Sequence, residues 1–327
     1  MSFQKYVNIY PAVGVAGARA SQNPVSTVDA GQLGLRAGSQ GTYCGAFAWI
    51  TYAVAGGAGV TGNSTLTGAV PDGFVWNEMN AVNTVWLEEA GMLVPPGYGT
   101  TLVQRGDFWV VNAYADAAIG QKVFANVFTG AILGAAAGSF PTNEVGTAAV
   151  IASATTGAVG TYTLTINTLT SGVVEVGDQV LGLDINGKVY IESFNTFNGT
   201  SGSVNLTLPI ATVQTAVALT TIPPTGVGGA VVSSATAAAS STTVTINTLT
   251  SGTIVPGQLV QGTSVPTGAV VASLGTFNGT SGTIILSAAV TATITAAALN
   301  FSAFVETPWY VTAAGNVGDL VKIGIKN

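Results

Sequence analysis

Acidic side chains are the first candidates for chemistry in this sequence, because cleavage of a glycosidic bond needs two carboxyl groups about 5 to 10 Å apart. Glu88 and Glu89 form the only adjacent carboxylate pair in the chain. They lie in residues 77–91, where apolar side chains recur at spacings of three and four, so this segment is predicted to be a helix. Neighbouring residues on a helix point about 100° apart. We therefore interpret the pair as a solvated helix end and not as a hydrolase site.

The chain has few side chains that could act as a nucleophile or bind a metal. The chain contains no His and a single cysteine, Cys44, which excludes an internal disulfide. A catalytic thiolate needs a base such as His beside it, so Cys44 is interpreted as a small buried hydrophobe and not as a reactive thiol. Metals prefer imidazole, thiolate or carboxylate ligands, and residues 193–305 contain no Asp, Glu, Lys or Arg. The sequence predicts no catalytic residue, no metal site and no enzyme activity.

One glycine motif could hold a dinucleotide. Residues 57–62 have the pattern GxGxxG, and Glu78 follows at about the distance of the acidic residue that binds a ribose. The pyrophosphate in such a site lies on the N-terminus of a helix, yet residues 63–68 continue with turn-forming and strand-forming residues. In a chain with 43 glycines the pattern arises by chance. No cofactor is predicted.

The composition excludes further classes of protein. Charged residues make up 7% of the chain, against about a quarter in ordinary domains. The net charge of −6 leaves no basic face for nucleic acid. No apolar run reaches the roughly 20 residues of a membrane span, and the first residues lack the apolar core of a signal peptide. We expect a protein that is made and used without export, and whose weakly charged β-structure is surrounded by other protein.

The elements that must position these residues are organised around a duplication. Residues 165–172 recur letter for letter as 245–252, and residues 196–202 recur as 276–282. Both pairs of segments are separated by 80 positions. We therefore predict two tandem copies that align without a gap.

Each copy is predicted to be a small all-β module. Residues 163–167 and their counterparts 243–247 alternate polar and apolar side chains, as half-buried strands do. Ser-Gly, Asn-Gly and Pro-Gly pairs punctuate the copies at turn positions. The first module is assigned to residues 147–222 and the second to 228–301, with a proline-containing breaker at 223–226 between them.

The two ends of the chain share Trp, Tyr and charged residues that the modules lack or hold sparingly. Four of the five Trp precede residue 110, and the fifth, Trp309, follows the repeats. We infer one discontinuous β domain made of residues 1–145 and 302–327, with the modules as an insertion. Residues 1–30 are expected to form an extended arm that a partner subunit orders, with simple fraying of the terminus as the alternative. Residues 100–111 are predicted to be a hairpin with an Arg-Gly-Asp turn.

Both ends of the chain resemble the structural cement, or capsid decoration, proteins of tailed bacteriophages. The matching segments run in order through about half of the chain: residues 10–13, 20–24, 45–49, 70–75, 106–110, 120–124, 306–309 and 318–323. The modules resemble Ser-Gly repeats of phage virion proteins. The sequence departs from the family at Trp76, where polar or basic residues are usual, and the turn at 184–187 changes in the second module.

The resemblance implies an all-β protein with a β-sandwich or jelly-roll-like body formed by both chain ends, and with two small tandem β modules inserted before the C-terminal strands. It implies a structural virion protein that binds the outside of an assembled capsid and bridges neighbouring capsid subunits, with the modules projecting outward. The expected partners are the major capsid protein and further copies of the chain, as a dimer or trimer. Neither nucleic acid nor membrane is expected. Such a protein is made in the host cytoplasm and ends on the outer surface of the capsid.

Aromatic side chains are the candidates for contact with the shell, because Trp and Tyr are enriched among the residues that dominate interface binding energy. The candidates are Tyr6, Tyr10, Phe74, Trp76, Trp86, Phe108 and Trp109. The alternative for each of them is an ordinary core residue.

The alternative function is a phage fibre or adhesin head whose modules bind host-surface glycan. That function predicts exposed aromatic rings beside carboxylates or amides. Phe197 and Phe277 occupy equivalent positions in the two modules, which favours core packing over display.

Overall fold

The computed structural model describes residues 14–31, 33–52, 59–78, 91–143, 145–182 and 189–325. In these ranges every regular element is a β-strand, which confirms the all-β fold class. Sequence alternation explains the strands: the strand from Thr163 to Ser171 buries Leu164 and Ile166 and leaves the threonines beside them partly exposed. The helix predicted over 77–91 falls outside the described residues from 79 to 90.

Short strands joined by glycine-rich turns make up the part of the body that precedes the modules. They are β1 (Ser26–Thr27), β2 (Leu35–Ala37), β3 (Thr42–Tyr43), β4 (Phe47–Tyr52), β5 (Gly59–Gly62), β6 (Gly73–Val75), β7 (Leu93–Val94), β8 (Leu102–Arg105), β9 (Asp107–Val111), β10 (Lys122–Asn126) and β11 (Ile132–Ala135).

The modules and the C-terminal strands follow. The first module has β12 (Ala149–Thr156), β13 (Thr163–Ser171), β14 (Gln179–Leu181), β15 (Val189–Phe194), β16 (Gly202–Leu206) and β17 (Val217–Ile222). The second module has β18 (Ala230–Ala237), β19 (Thr243–Gly252), β20 (Leu259–Gly262), β21 (Val271–Leu274), β22 (Gly282–Leu286) and β23 (Ile294–Ser302). The body then resumes with β24 (Phe304–Ala313) and β25 (Leu320–Gly324).

Two sheets pack face to face in the body. One has the strand order β1-β8-β6-β4-β5-β2 and the other has the order β11-β10-β24-β25-β9. β24 therefore pairs with β10, and β25 pairs with β9, although the modules separate these strands in the sequence. One core cluster contains Phe47 and Phe74 from the first sheet and Phe108, Trp309 and Ile323 from the second. The body is thus a β-sandwich to which both chain ends contribute, as the resemblance implies.

The predicted hairpin at 100–111 is wrong, although both of its strands exist. β8 pairs with β1 and β6, whereas β9 pairs with β25 in the other sheet. Gly106 between them has φ of 133°, a conformation that favours glycine, and it turns the chain from one sheet to the other. Alternation predicts strands but does not say whether consecutive strands share a sheet.

Each module has its own sheet system and its own apolar core. In the first module the strands close into a barrel in the order β12-β13-β16-β15-β14-β17. The second module keeps the same neighbours, except that β20 approaches β21 only through the bridge between Leu259 and Val270. Val, Ile and Leu fill both cores, and Phe197 and Phe277 pack against them.

The modules do not align without a gap. Val150 pairs with Ser171 in the first module, whereas Val231 pairs with Ser251 in the second. The first strands of the two modules, β12 and β18, are therefore one position further apart in the sequence than the later pairs of equivalent strands. The reason is that the turn that follows β12 is one residue longer than the turn that follows β18. The predicted gapless alignment is therefore wrong. The identical segments could not reveal the difference, because all of them lie after that turn.

The repeated Asn-Gly-Thr-Ser-Gly segments build the same turn twice. Asn198 Oδ1 accepts hydrogen bonds from the N–H groups of Thr200 and Ser201, and Asn278 makes the equivalent bonds in the second module. Gly202 follows with φ of 122°, and a Cβ there would collide with a backbone oxygen. The geometry of this turn therefore explains why the same residues recur in both modules.

A shared apolar cluster fixes both modules to the body. We call it the junction cluster, and it consists of Val127, Phe128, Ala148, Leu181, Ile222, Val227, Val255, Ala303 and Val305. The side-chain amide of Asn126 also donates a hydrogen bond to the carbonyl of Val227 at 2.9 Å. The three units therefore pack against one another through this cluster and are not joined by loose linkers.

Candidate interface site

Two of the predicted contact residues lie in the centre of the sandwich. Phe74 is 5.5 Å from both Phe47 and Phe108, measured between ring centroids, and Trp309 lies 6.1 Å from each of these three rings. Phe74 and Phe108 are 0% exposed. In this chain both side chains stabilise the core, and neither offers surface to a partner in this conformation.

Trp76 and Trp109 are both half-buried. Trp76 packs against the same core, whereas Trp109 alternates on β9 with the core residues Phe108 and Val110. The Trp76 ring lies 5.9 Å from the ring of Phe108. Trp109 is overlaid by the chain at Gly14, where an added Cβ would lie 2.7 Å from the indole. These two are the predicted contact residues whose side chains the described structure leaves partly accessible.

Three further candidates, Tyr6, Tyr10 and Trp86, lie outside the described residues, as do Glu88 and Glu89. Their proposed contact with a shell, and the solvated helix end expected for the carboxylate pair, stay predictions. Glu78 is described, and its carboxylate accepts a hydrogen bond from the Thr101 hydroxyl at 2.7 Å.

Residues 14–24, which we call the edge segment, lie along β9 at the margin of the C-terminal sheet. The N–H of Gly17 donates to the Trp109 carbonyl at 2.8 Å, and the N–H of Ala20 donates to the Asp107 carbonyl at 2.8 Å. The segment covers an edge that would otherwise expose unpaired backbone groups. The chain's own strand therefore orders this part of the predicted arm.

Asp107 anchors the edge segment through its side chain. Its Oδ2 accepts hydrogen bonds from the Ser21 hydroxyl and the Asn23 amide, both at 2.6 Å. Lys322 on β25 lies 3.8 Å from the same oxygen. The aspartate of the Arg-Gly-Asp segment therefore has a structural role in this chain.

The remaining chemical candidates occupy structural positions. Residues 59–62 at the end of the glycine motif form β5, and β5 pairs with β2 and β4. Cys44 is half-buried, and burial raises the pKa of its thiol. Within the described ranges no three His, Cys, Asp or Glu side chains come together as metal ligands. The described residues also contain no helix that could cross a membrane.

One feature that the sequence did not reveal is a cleft between the body and the first module. Its volume is about 590 Å³, and its walls include Tyr43 from the body and Gln179 and Tyr190 from the module. The walls come from segments more than a hundred residues apart, so no local pattern marks them. The structure reveals the cleft and shows that Tyr43, on its wall, is 55% exposed.

Residues 3–164 match the family model described as XM1 gp53 minor capsid protein. This similarity supports a phage structural protein. The matched range covers the edge segment, the body strands β1 to β11 and the beginning of the first module. The coarser part of the predicted function, a structural role in the virion, agrees with this family. No match was found among curated proteins or solved structures.

Proposed function

We propose that this protein is a non-enzymatic cement protein, which binds the outside of an assembled phage capsid and bridges neighbouring capsid subunits. The similarity of residues 3–164 to a minor capsid family carries the proposal. That similarity falls mainly on the body, which is the part expected to contact the shell. The resemblance of both chain ends to cement proteins supports the same assignment.

The proposed mechanism is mass action on a lattice. A protein that binds the assembled shell more tightly than the free subunits stabilises the assembled state. Contacts repeated over many copies turn modest single affinities into strong retention. Such a protein needs a rigid body and complementary surfaces but no titrating group, which fits a chain with only 7% charged residues.

The position of the junction cluster supports an outward placement of the modules. Ala148 precedes the first strand of the first module, Ala303 follows the last strand of the second, and both are buried in this cluster. The modules therefore leave and rejoin the body at the same cluster, and the part of the body surface that no module contacts is available to the shell. We place the modules on the side away from the shell.

Co-sedimentation with expanded capsids that lack this protein tests the proposal. The purified chain should pellet with the capsids and raise the temperature at which the shells dissociate. A chain that stays in the supernatant and leaves shell stability unchanged would contradict the cement function. A chain that pellets with host cells but not with capsids would support the fibre or adhesin alternative instead.

Point variants locate the contact better than deletion of the modules, because removing them would expose Phe128 and Val305 of the junction cluster. If Tyr6 and Tyr10 are anchors, the double variant Tyr6→Ser/Tyr10→Ser should bind capsids about tenfold more weakly or worse. Tyr162→Ser is the matched control, since Tyr162 is an exposed tyrosine of the first module. Equal binding by both variants would move the contact to another surface.

A further inference from the structure

The cleft between the body and the first module has the size of a small-molecule site, at about 590 Å³. Tyr43 and Gln40 belong to the wall that the body supplies, and Gln179 and Tyr190 belong to the wall that the module supplies. Pro223, in the breaker between the modules, also lines the cleft.

Backbone pairing fixes the side chains of the module wall. Gln179 on β14 lies directly opposite Tyr190 on β15 and Ile222 on β17. Directly opposed residues project from the same face of a sheet, so these three side chains form one surface. Because β14 is paired on both sides, this wall offers no free strand edge to an extended peptide.

Asn63 holds the tyrosine of the opposite wall. Its Oδ1 accepts the N–H of Tyr43 at 2.6 Å, and its amide donates to the Tyr43 carbonyl at 3.2 Å and to the Phe47 carbonyl at 3.0 Å. The backbone of Tyr43 is therefore pinned, while its side chain is 55% exposed. The ring is presented on a fixed support.

The amide of Gln179 is available to a ligand. Gln179 is 8% exposed, and its side chain makes no hydrogen bond within the described part of the chain. Its amide is not among the buried side-chain atoms that lack a partner, so the amide reaches the solvent of the cleft. The amide of Gln40 and the hydroxyls of Tyr43 and Tyr190 likewise have no bond among the described residues. Burial, with a contribution from Tyr43, raises the pKa of Tyr190, so its phenol stays a neutral donor at physiological pH.

We propose that this cleft binds a neutral carbohydrate, whose ring stacks on Tyr43 and whose hydroxyls bond to the amides of Gln40 and Gln179. A sugar has an apolar C–H face and a rim of hydroxyls that donate and accept. An aromatic ring suits the face, and a carboxamide, which both donates and accepts, suits the rim. All of the described side chains that line the cleft are uncharged, so a neutral sugar fits these residues better than an acidic one. The proposal does not rest on the cement function.

Titration of the full-length protein with maltotetraose, a galactose tetramer and an N-acetylglucosamine tetramer tests the proposal, by calorimetry and by saturation-transfer NMR. We expect at least one of the three to bind. Gln179→Leu, which keeps the side-chain volume but removes the amide, should weaken that binding about tenfold or more. Tyr43→Ala should have a similar effect, and it alters an exposed side chain that the fold does not require.

Tyr162→Ala is the matched control, because Tyr162 is 50% exposed and lies outside the cleft. It should leave sugar binding unchanged, and thermal melting should show that all three variants are folded. The proposal is overturned if none of the three sugars binds, or if both cleft variants bind as well as the native chain. Capsid co-sedimentation of Gln179→Leu should be unchanged, which separates this site from shell attachment.

Discussion

Asp178 shows how a single side chain can strain one module. Its Oδ2 accepts hydrogen bonds from the N–H of Glu175 and the hydroxyl of Thr221, both at 3.0 Å. Its Oδ1 is buried and has no hydrogen-bond partner among the residues that the structure describes. A buried carboxylate with an unpaired oxygen is costly, and protonation relieves that cost.

The second module places Gln258 at the equivalent position. Its Oε1 accepts the N–H of Val255 at 2.9 Å, as Asp178 accepts that of Glu175. Its Nε2 donates to the carbonyls of Gly228 and Thr253 at 2.8 and 2.9 Å. An amide therefore satisfies a position at which the carboxylate of the first module leaves one oxygen unpaired.

Asp178→Asn should make the protein more stable at neutral pH, by about 1 kcal/mol. Burial, with a smaller contribution from Glu175, raises the pKa of the Asp178 carboxyl above its ordinary value, against the two hydrogen bonds, which lower it. A carboxyl with a raised folded-state pKa contributes its full stability below its unfolded pKa and loses it as pH rises through the folded value. Denaturant unfolding at acidic and neutral pH checks this. The gain should be smaller at acidic pH, where the native carboxyl is protonated. No gain at neutral pH, or the same change at both pH values, would contradict the prediction.

Gln258→Glu should have the opposite effect and lower the free energy of unfolding by about 1–3 kcal/mol at neutral pH. The new carboxylate oxygen would face the carbonyls of Gly228 and Thr253, which can only accept. Gln261→Glu on β20 is the matched control, because Gln261 is exposed and its change should be nearly neutral. The prediction fails if the two variants have the same denaturation midpoint.

At the scale of elements, the edge segment completes the C-terminal sheet. Its backbone bonds to β9 are held by the side-chain contacts of Asp107 with Ser21, Asn23 and Lys322. Few apolar side chains secure this segment, so these polar contacts should decide how often it opens.

Asp107→Ala should release the edge segment from β9. We expect amide hydrogen exchange at Gly17 and Ala20 to become about tenfold faster, because the bonds of these amides open with the segment. Glu192→Ala, which removes an exposed carboxylate of β15, serves as the control. Unchanged exchange at both amides in Asp107→Ala would show that the backbone bonds alone hold the segment.

Local alternation and composition were enough to predict the all-β class. The pattern around Leu164 and Ile166 predicts β13 because its period of two is visible within a few residues. The return of Trp and charged residues near Trp309 predicts that the chain end rejoins the body, since neither module contains Trp and the second module contains no charged residue. Neither prediction depends on knowing which strands are neighbours.

Features that depend on the arrangement of strands could not be predicted. The hairpin was wrong because nothing around Gly106 says that β8 and β9 enter different sheets. Phe74 and Phe108 could not be told from surface anchors, because the burial of each depends on the facing sheet. Tyr43 and Gln179 meet across the cleft only because the first module is seated on the body.

At the scale of the whole molecule, the junction cluster decides whether the body and modules behave as one unit. Phe128 contributes its only aromatic ring, and it is 6% exposed. Apolar side chains from all three units are buried there, so unfolding one unit exposes surface on the other two. We expect the native chain to unfold in one cooperative transition.

Phe128→Ala should uncouple the units, because truncating a buried Phe costs about 3–5 kcal/mol, and here the cost falls on the contact between units. Scanning calorimetry should then show separate transitions for the body and the modules. Phe277→Ala is the matched control: the same truncation, at a residue 5% exposed inside the second module, should lower a transition that stays single. If Phe128→Ala also keeps a single transition, the cluster does not couple the units, and the modules must be held to the body by other contacts.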